Sequence, residues 1–265
     1  MFQPGISIFT KPWPTLSIPQ LAQLVRSWGF DGIEYPLRQG FQIQPADALA
    51  QLPAMARELA DHDLRIMSIA GSLNEATFAA CQAAGVPLIR IMLTADLAKG
   101  YLACEREWLR ELAAVRPLCE QYQVRVGIQN HYGPGVFATM ELRHVLERCD
   151  NPYAGAIWDA AHSGLAGEET EQALDIIREY LLLVNLKSAY YQKETDPATG
   201  CAAFHPYFTT GRDGACSWPR IIRYLKTIDY QGDICMPAEY TDRAAVGQLI
   251  PGDLAYVREL LAEQA

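Results

Sequence analysis

Short apolar runs alternate with longer amphipathic stretches along the whole chain. The runs are GISIF (5–9), GIEY (32–35), RIMSIA (65–70), LIRIML (88–93), RVGIQ (125–129), AGAIWD (154–159), LLLVNLK (181–187) and DICMPAE (233–239). They are rich in Val, Ile and Leu with little polar alternation, the mark of strands buried on both faces. Between them apolar positions recur every three to four residues, as in SIPQLAQLVRSW, ADALAQLPAMARELADH, NEATFAACQAAG, EREWLRELAAVRPLCEQY, TMELRHVLERC, EETEQALDIIREY, SWPRIIRYLKTI and PGDLAYVRELLAEQ. That period predicts helices. Asn74, Thr139 ahead of Glu141, and Ser217 ahead of Pro219 supply helix starts, while Gly29, Gly85 and Gly232 stand where a helix stops or the chain reverses before a strand.

Eight strand and helix units in 265 residues fit a parallel sheet closed into a (β/α)8 barrel, a single domain over residues 1–265. No linker rich in Pro, Gly or Ser divides the chain. The longest stretch without a clear period, residues 188–214, follows the seventh strand and reads as an irregular loop. Its Tyr190, Tyr191, His205, Tyr207 and Phe208 suit a lid over a polar ligand, or equally a surface cluster of their own.

A net charge of −9 and a pI near 5.1 disfavour capture of a phosphate backbone, so nucleic acid is not the expected partner. Seven scattered cysteines suggest reduced, structural thiols, neither a disulfide framework nor a zinc knuckle. There is no secretory leader pattern and no uninterrupted apolar run of about 18 residues. The expectation is a soluble cytoplasmic protein without a membrane partner.

In such a barrel the chemistry collects at the C-terminal ends of the strands. Five ends here are polar: Glu34-Tyr35, Gln129-Asn130-His131, Asp159 with His162 three residues on, Asn185 with Lys187, and Glu239. Each alone is explained by a helix cap or a salt bridge. Together, around one mouth, they would cost a few kcal/mol apiece to bury unless paired or coordinating something. Arg90 lies mid-strand and is expected to pair with Glu34 inside the barrel. Phe9, Trp13, Tyr35 and Tyr132 offer stacking walls for a sugar ring, or core packing.

The order of WGFDGIEY, GVPLIRIM, VRVGIQNHYG, IWDAAH, VNLK and GRDGACSWPRIIRYLKTIDYQGDICMPAEY resembles the xylose isomerase-like barrel superfamily, which includes sugar epimerases, inosose dehydratases and hydroxypyruvate isomerase. The resemblance implies a divalent ion, Mg or Mn, held by Glu, Asp, His and Glu at four strand ends. Here those metal positions read Gln129, Asp159, Asn185 and Glu239, so two of the four ligands are changed. Gln129 cannot exchange protons as one of a glutamate pair would, and any ion would be hard and loosely held.

What the resemblance then implies is a sugar isomerase or epimerase-like enzyme, or a dehydratase, moving a proton alpha to a carbonyl of a sugar, inosose or sugar acid. Glu239 would take the proton, with Lys187 or His131 donating to or polarising the enediolate oxygen; Lys187 paired with Glu239 or Asp159 is the competing structural reading. Glu34, Asn130, Tyr132 and His162 would contact substrate hydroxyls. The alternative is a non-catalytic sugar-binding or regulatory barrel with a degraded metal site. Pairing of barrels in relatives leaves a homodimer open. A phosphodiester-cleaving site would call for a multi-metal cluster rich in histidine, and the chain has five histidines in all.

Overall fold

A computed structural model describes residues 3–263; the outermost two residues at each end of the expected 1–265 domain, Gln264 of the last helical pattern among them, lie outside it. Eight parallel strands close into a barrel: β1 (Ile6–Phe9), β2 (Gly32–Pro36), β3 (Arg65–Ala70), β4 (Leu88–Met92), β5 (Arg125–Gln129), β6 (Ala154–Asp159), β7 (Leu181–Asn185) and β10 (Asp233–Met236). Closure is made by β1, which pairs with β2 on one side and β10 on the other. Consecutive barrel strands neighbour one another throughout, the usual outcome when sequential elements pack side by side.

Helices α1 (Ile18–Trp28), α2 (Ala48–Ala60), α3 (Glu75–Ala84), α4 (Tyr101–Ala114), α5 (Arg116–Tyr122), α6 (Thr139–Arg148), α7 (Ala160–Leu165), α8 (Thr170–Ile177), α9 (Trp218–Thr227) and α10 (Val246–Ala262) accompany the strands. Ser17 and Gln20 form a capping box on α1, and Asn74 caps α3 by accepting from the Thr77 amide at 3.0 Å. Gly29 and Gly85 end α1 and α3 in the left-handed conformation, which costs glycine nothing. The start expected at Thr139 works differently. Glu141 accepts from the Phe137 and Ala138 amides, and Thr139 donates its own hydroxyl to Glu168 at 2.7 Å. Ser217 makes no side-chain cap bond.

The main apolar core lies between the strands and the helix ring. A separate cluster from strands alone, Phe9, Ala70, Leu88, Ile157, Leu183 and Cys235, fills the barrel interior, which is a packed core and no pore. Gly127 in β5 is required by this packing: a Cβ there would stand 2.5 Å from the Ile157 Cδ1.

Residues 188–214 depart from the expected irregular loop. Most of them form an antiparallel hairpin, β8 (Ser188–Thr195) and β9 (Ala202–Thr209). The turn DPATG closes it through Asp196, whose side chain accepts from the Ala198 amide at 2.8 Å, and Gly200 at φ 69°. Exposure on both faces hides the apolar alternation that identifies a half-buried strand, so β-propensity alone carried the signal.

Candidate active site

The polar strand ends meet in one continuous network around the mouth. Glu34, 1% exposed, accepts from the Ser68 hydroxyl at 2.9 Å and from the Arg90 Nε at 2.7 Å. Arg90 also donates to the Gln129 Oε1, and its guanidinium lies 4.6 Å over the Phe9 ring. The Gln129 Nε2 donates to the Asp159 Oδ2 at 2.7 Å. Gln129 therefore spends its two amide ends on opposite partners, a cation on one side and an anion on the other. A glutamate in its place would set a second carboxylate against Asp159.

Asp159, fully buried, is the hub. Its Oδ1 caps α7 by accepting from the His162 amide at 3.2 Å. Its Oδ2 faces the Asn185 Nδ2 at 3.4 Å, the Lys187 Nζ at 3.7 Å and the His162 Nε2 at 3.8 Å. Asn130, also fully buried, binds the Asp159 backbone with both amide ends, accepting from its N–H at 2.7 Å and donating to its carbonyl at 3.3 Å. The spacing of Asp159 and His162 is thus a helix cap and a site contact at once.

Lys187, 5% exposed, joins the carboxylate that ends the sixth barrel strand, Asp159, to the one in the turn after the eighth, Glu239. Its Nζ donates to the Glu239 Oε2 at 3.0 Å and to the His162 Nε2 at 3.0 Å, while packing 4.8 Å from the Phe208 ring centroid. Glu239 takes a second cation, Lys11, at its Oε1. Strand β10 ends at Met236, short of the expected Glu239. Ala238 then adopts φ 53°, a conformation that costs a non-glycine residue on the order of 1 kcal/mol or more. That turn carries Glu239 back to the lysines.

Burial pushes both carboxyls up and the ammonium down, and the opposite charges win. Asp159 is held below its ordinary range by the Lys187 ammonium and the His162 backbone amide, Glu239 far below by Lys187 and Lys11, and Lys187 is raised by Asp159 and Glu239. The charged forms are the resting state. Burial drives the His162 imidazole down to about 3, so it is neutral and accepts from Lys187; its Nδ1 is buried with no partner.

His131 lies half-buried at the rim, its ring 4.3 Å from that of His162 and 5.0 Å from that of Tyr132. Its Nδ1 donates to the Tyr132 carbonyl at 2.9 Å, which leaves the Nε2 lone pair without a hydrogen-bond partner among the described residues. Burial first, then Lys187, lower its pKa, so the imidazole is neutral at pH 7. Tyr132 is 37% exposed, stacks on His162 and meets the Phe208 ring at a tilt of 57°. Tyr35, by contrast, is buried with its hydroxyl on the Ile43 amide, and Trp13 packs on Trp28 away from the network. The hairpin contributes Phe208 alone to the cluster; Tyr190 stacks on Tyr207 outside it.

The residues expected to hold a divalent ion do not fit one. Gln129 is committed to Arg90 and Asp159, and Glu239 to two lysines. Among the described residues no group of three or more His, Cys, Asp or Glu side chains is placed to hold a metal. Of the four expected ligand positions, only Asn185 has a buried, unpartnered side-chain atom, its Oδ1. The carboxylates already have cations, and a dication would have to displace the Lys187 ammonium against its own repulsion.

A parallel eight-stranded barrel with a buried, charge-compensated cluster at the C-terminal mouth defines the protein as an α/β-barrel with its polar chemistry at the strand ends. The chain belongs to the xylose isomerase-like TIM barrel family, whose model matches residues 22–260. No curated protein matches it by sequence. Among solved structures it is similar to the probable 3-DHS dehydratase AsbF of Bacillus anthracis (14% identity, 96% of this chain and 98% of that one, TM-score 0.74). It is also similar to a xylose isomerase-like TIM barrel protein of Mycobacterium smegmatis in complex with magnesium (15%, 98% of each chain, 0.71). A third is the 3-keto-D-glucoside 4-epimerase YcjR of E. coli (13%, 97% and 100%, 0.72). Among the described residues no helix is long and apolar enough to cross a membrane.

Proposed function

We propose that the protein is a sugar-processing enzyme that moves a proton on the carbon next to a carbonyl of a small polyhydroxylated compound, with Lys187 in the electrostatic role that a metal has in the resemblance. The observation that carries this reading is the buried Lys187 ammonium shared by Asp159 and Glu239, beside a neutral His131 imidazole with a free Nε2. Lys187 donates to the carbonyl oxygen and stabilises the negative charge that develops there. His131 Nε2 takes the proton from the adjacent carbon and returns it to the enediolate, or passes it to a leaving hydroxyl. Glu239, kept ionised by two lysines, is a weak base; its role is to hold Lys187 charged and aimed. Asn130 and Gln129 position Asp159, and Tyr132 with Phe208 supplies an apolar wall for the substrate's carbon face. Relatives in fold include a named epimerase and a probable dehydratase, which agrees with a shared enediolate step and distinguishes neither outcome.

The test is exchange of solvent deuterium into a panel of ketoses, inososes and keto-acids by protein treated with chelator. Exchange that survives chelation and falls at least 100-fold in both His131→Gln and Lys187→Met supports the proposal. Exchange that needs added Mg or Mn defeats it. A second reading, binding without turnover, draws on the saturation of Glu239 by Lys11 and Lys187; it predicts thermal stabilisation by sugars with no exchange in any variant.

A further inference from the structure

Two residues beyond the end of β2, Arg38 enters the same mouth. The backbone there is fixed, with the Leu37 amide on the Ala70 carbonyl at 3.0 Å and the Arg38 amide on the Pro36 carbonyl at 2.9 Å. Arg38 is half-buried and lines a cleft of about 370 Å³ together with Ser72, Arg90, Ile91 and Met92. Its guanidinium lies within electrostatic range of Arg90, Glu34 and Glu239. Every other cation of the mouth has a carboxylate partner: Arg90 has Glu34, Lys187 has Asp159 and Glu239, and Lys11 has Glu239. Arg38 makes no side-chain hydrogen bond or ion pair with the described residues.

Charge bookkeeping then gives a sign and a size. Glu34, Asp159 and Glu239 are balanced by Arg90, Lys187 and Lys11, and both imidazoles are neutral. Arg38 is the excess, one positive charge in a protein whose net charge is −9. A half-buried guanidinium gives up water without regaining a partner, and its fork of donors matches a carboxylate in two parallel bonds.

We infer that Arg38 binds a carboxylate of the substrate, so that the compound processed is a sugar acid and neither a neutral sugar nor a phosphate ester. One carboxylate neutralises the mouth, whereas a phosphate dianion would overshoot it. The inference rests on the proposed function in placing substrate at this mouth, and it narrows the substrate class.

The experiment compares D-fructose, D-fructuronate and D-fructose 6-phosphate, with the matching tagatose and psicose series, so that only the C6 group changes. Binding by calorimetry and solvent deuterium exchange are measured on the full chain, wild type, Arg38→Gln and Arg38→Lys. Keto-acids should bind at least 10-fold more tightly than the neutral ketoses, and Arg38→Gln should reduce that ratio about 10- to 100-fold, the loss of one charge-assisted pair. Arg38→Lys should keep part of it, and serves as the readout if the glutamine variant melts early. Neutral ketoses that bind and exchange as well as the acids, with the ratio unmoved in Arg38→Gln, overturn the carboxylate assignment and leave the proton-transfer reading standing. Preference for the phosphate overturns it as well. Absence of binding and exchange throughout all three series overturns both.

Discussion

Replacing Lys187 by methionine tests the centre of the site without reference to any substrate. The side chain keeps its volume and loses its charge. Asp159 then sits fully buried, its Oδ2 no longer facing an ammonium at 3.7 Å, with only the Gln129 and Asn185 amides and neutral His162 nearby. At an effective dielectric of about 20 an ion pair near this separation is worth roughly 4 kcal/mol, and breaking a buried pair from one side costs about 3–5 kcal/mol. For a domain of this size that corresponds to a fall in Tm of roughly 6–10 °C. In the wild type Asp159 and Glu239 have folded pKa values below their unfolded ones. Their contribution is therefore present above about pH 4 and lost as pH falls through the folded values. In Lys187→Met burial governs Asp159, its folded pKa rises above the unfolded one, and the sign reverses: stability is lost as pH rises from about 4. Thermal melts at pH 4.5 and 7.5 should show the variant's deficit widening with pH, and Asp159→Asn in the same chain should recover more than half of it. A deficit under about 1 kcal/mol, flat across pH, would refute the shared-ammonium account.

Other outcomes follow from the same network. Glu34→Gln leaves the buried Arg90 guanidinium without its carboxylate and should cost about 3–5 kcal/mol in denaturant unfolding, with the slope m unchanged. His131→Gln should lower turnover by about 100-fold or more. In the wild type kcat/KM should fall as pH drops through an imidazole pKa below the ordinary 6.5, because only the neutral ring accepts the proton. Mg or Mn at millimolar concentration should leave the wild-type Tm unmoved. In the double variant Gln129→Glu, Lys187→Met the same ions should raise it, since a third carboxylate replaces the amide and the ammonium is gone. An upward shift in the wild type would contradict the fit argued for the mouth.

The strands were legible because burial on both faces leaves uninterrupted apolar runs. β3, β5 and β6 coincide with their expected ranges, whereas β7 and β10 stop two and three residues early. In both cases the overrun contains the site: Lys187 and Glu239 lie beyond the ladder, where polar ends read as strand in sequence. The pairing of Arg90 with Glu34 was expected from an arginine inside an apolar strand. Lys11 and Arg38 were not singled out. Each stands two residues past a strand end, in segments that read as ordinary surface loop, and only closure of β1 against β10 brings Lys11 to Glu239. The amide bonds of Asn130 to the Asp159 backbone were likewise invisible, since they depend on the parallel register of β5 and β6.

The altered positions explain one another once charges are counted. The ligand set implied by the resemblance carries three carboxylates and an imidazole around a dication, a net charge of minus one. Here Asp159 and Glu239 are met by the Lys187 and Lys11 ammoniums, so the carboxylates are balanced without a dication, with Gln129 and Asn185 contributing no charge. Substituting either amide alone back to an ionised or basic group would upset this balance in a site too buried for water to screen it. A glutamate at 129 would face Asp159 across the present 2.7 Å contact, and one of the two would have to take up a proton. Gln129 is thus a requirement of a mouth whose cation is a side chain, and its hydrogen bonds run the way that requirement dictates: oxygen toward Arg90, nitrogen toward Asp159.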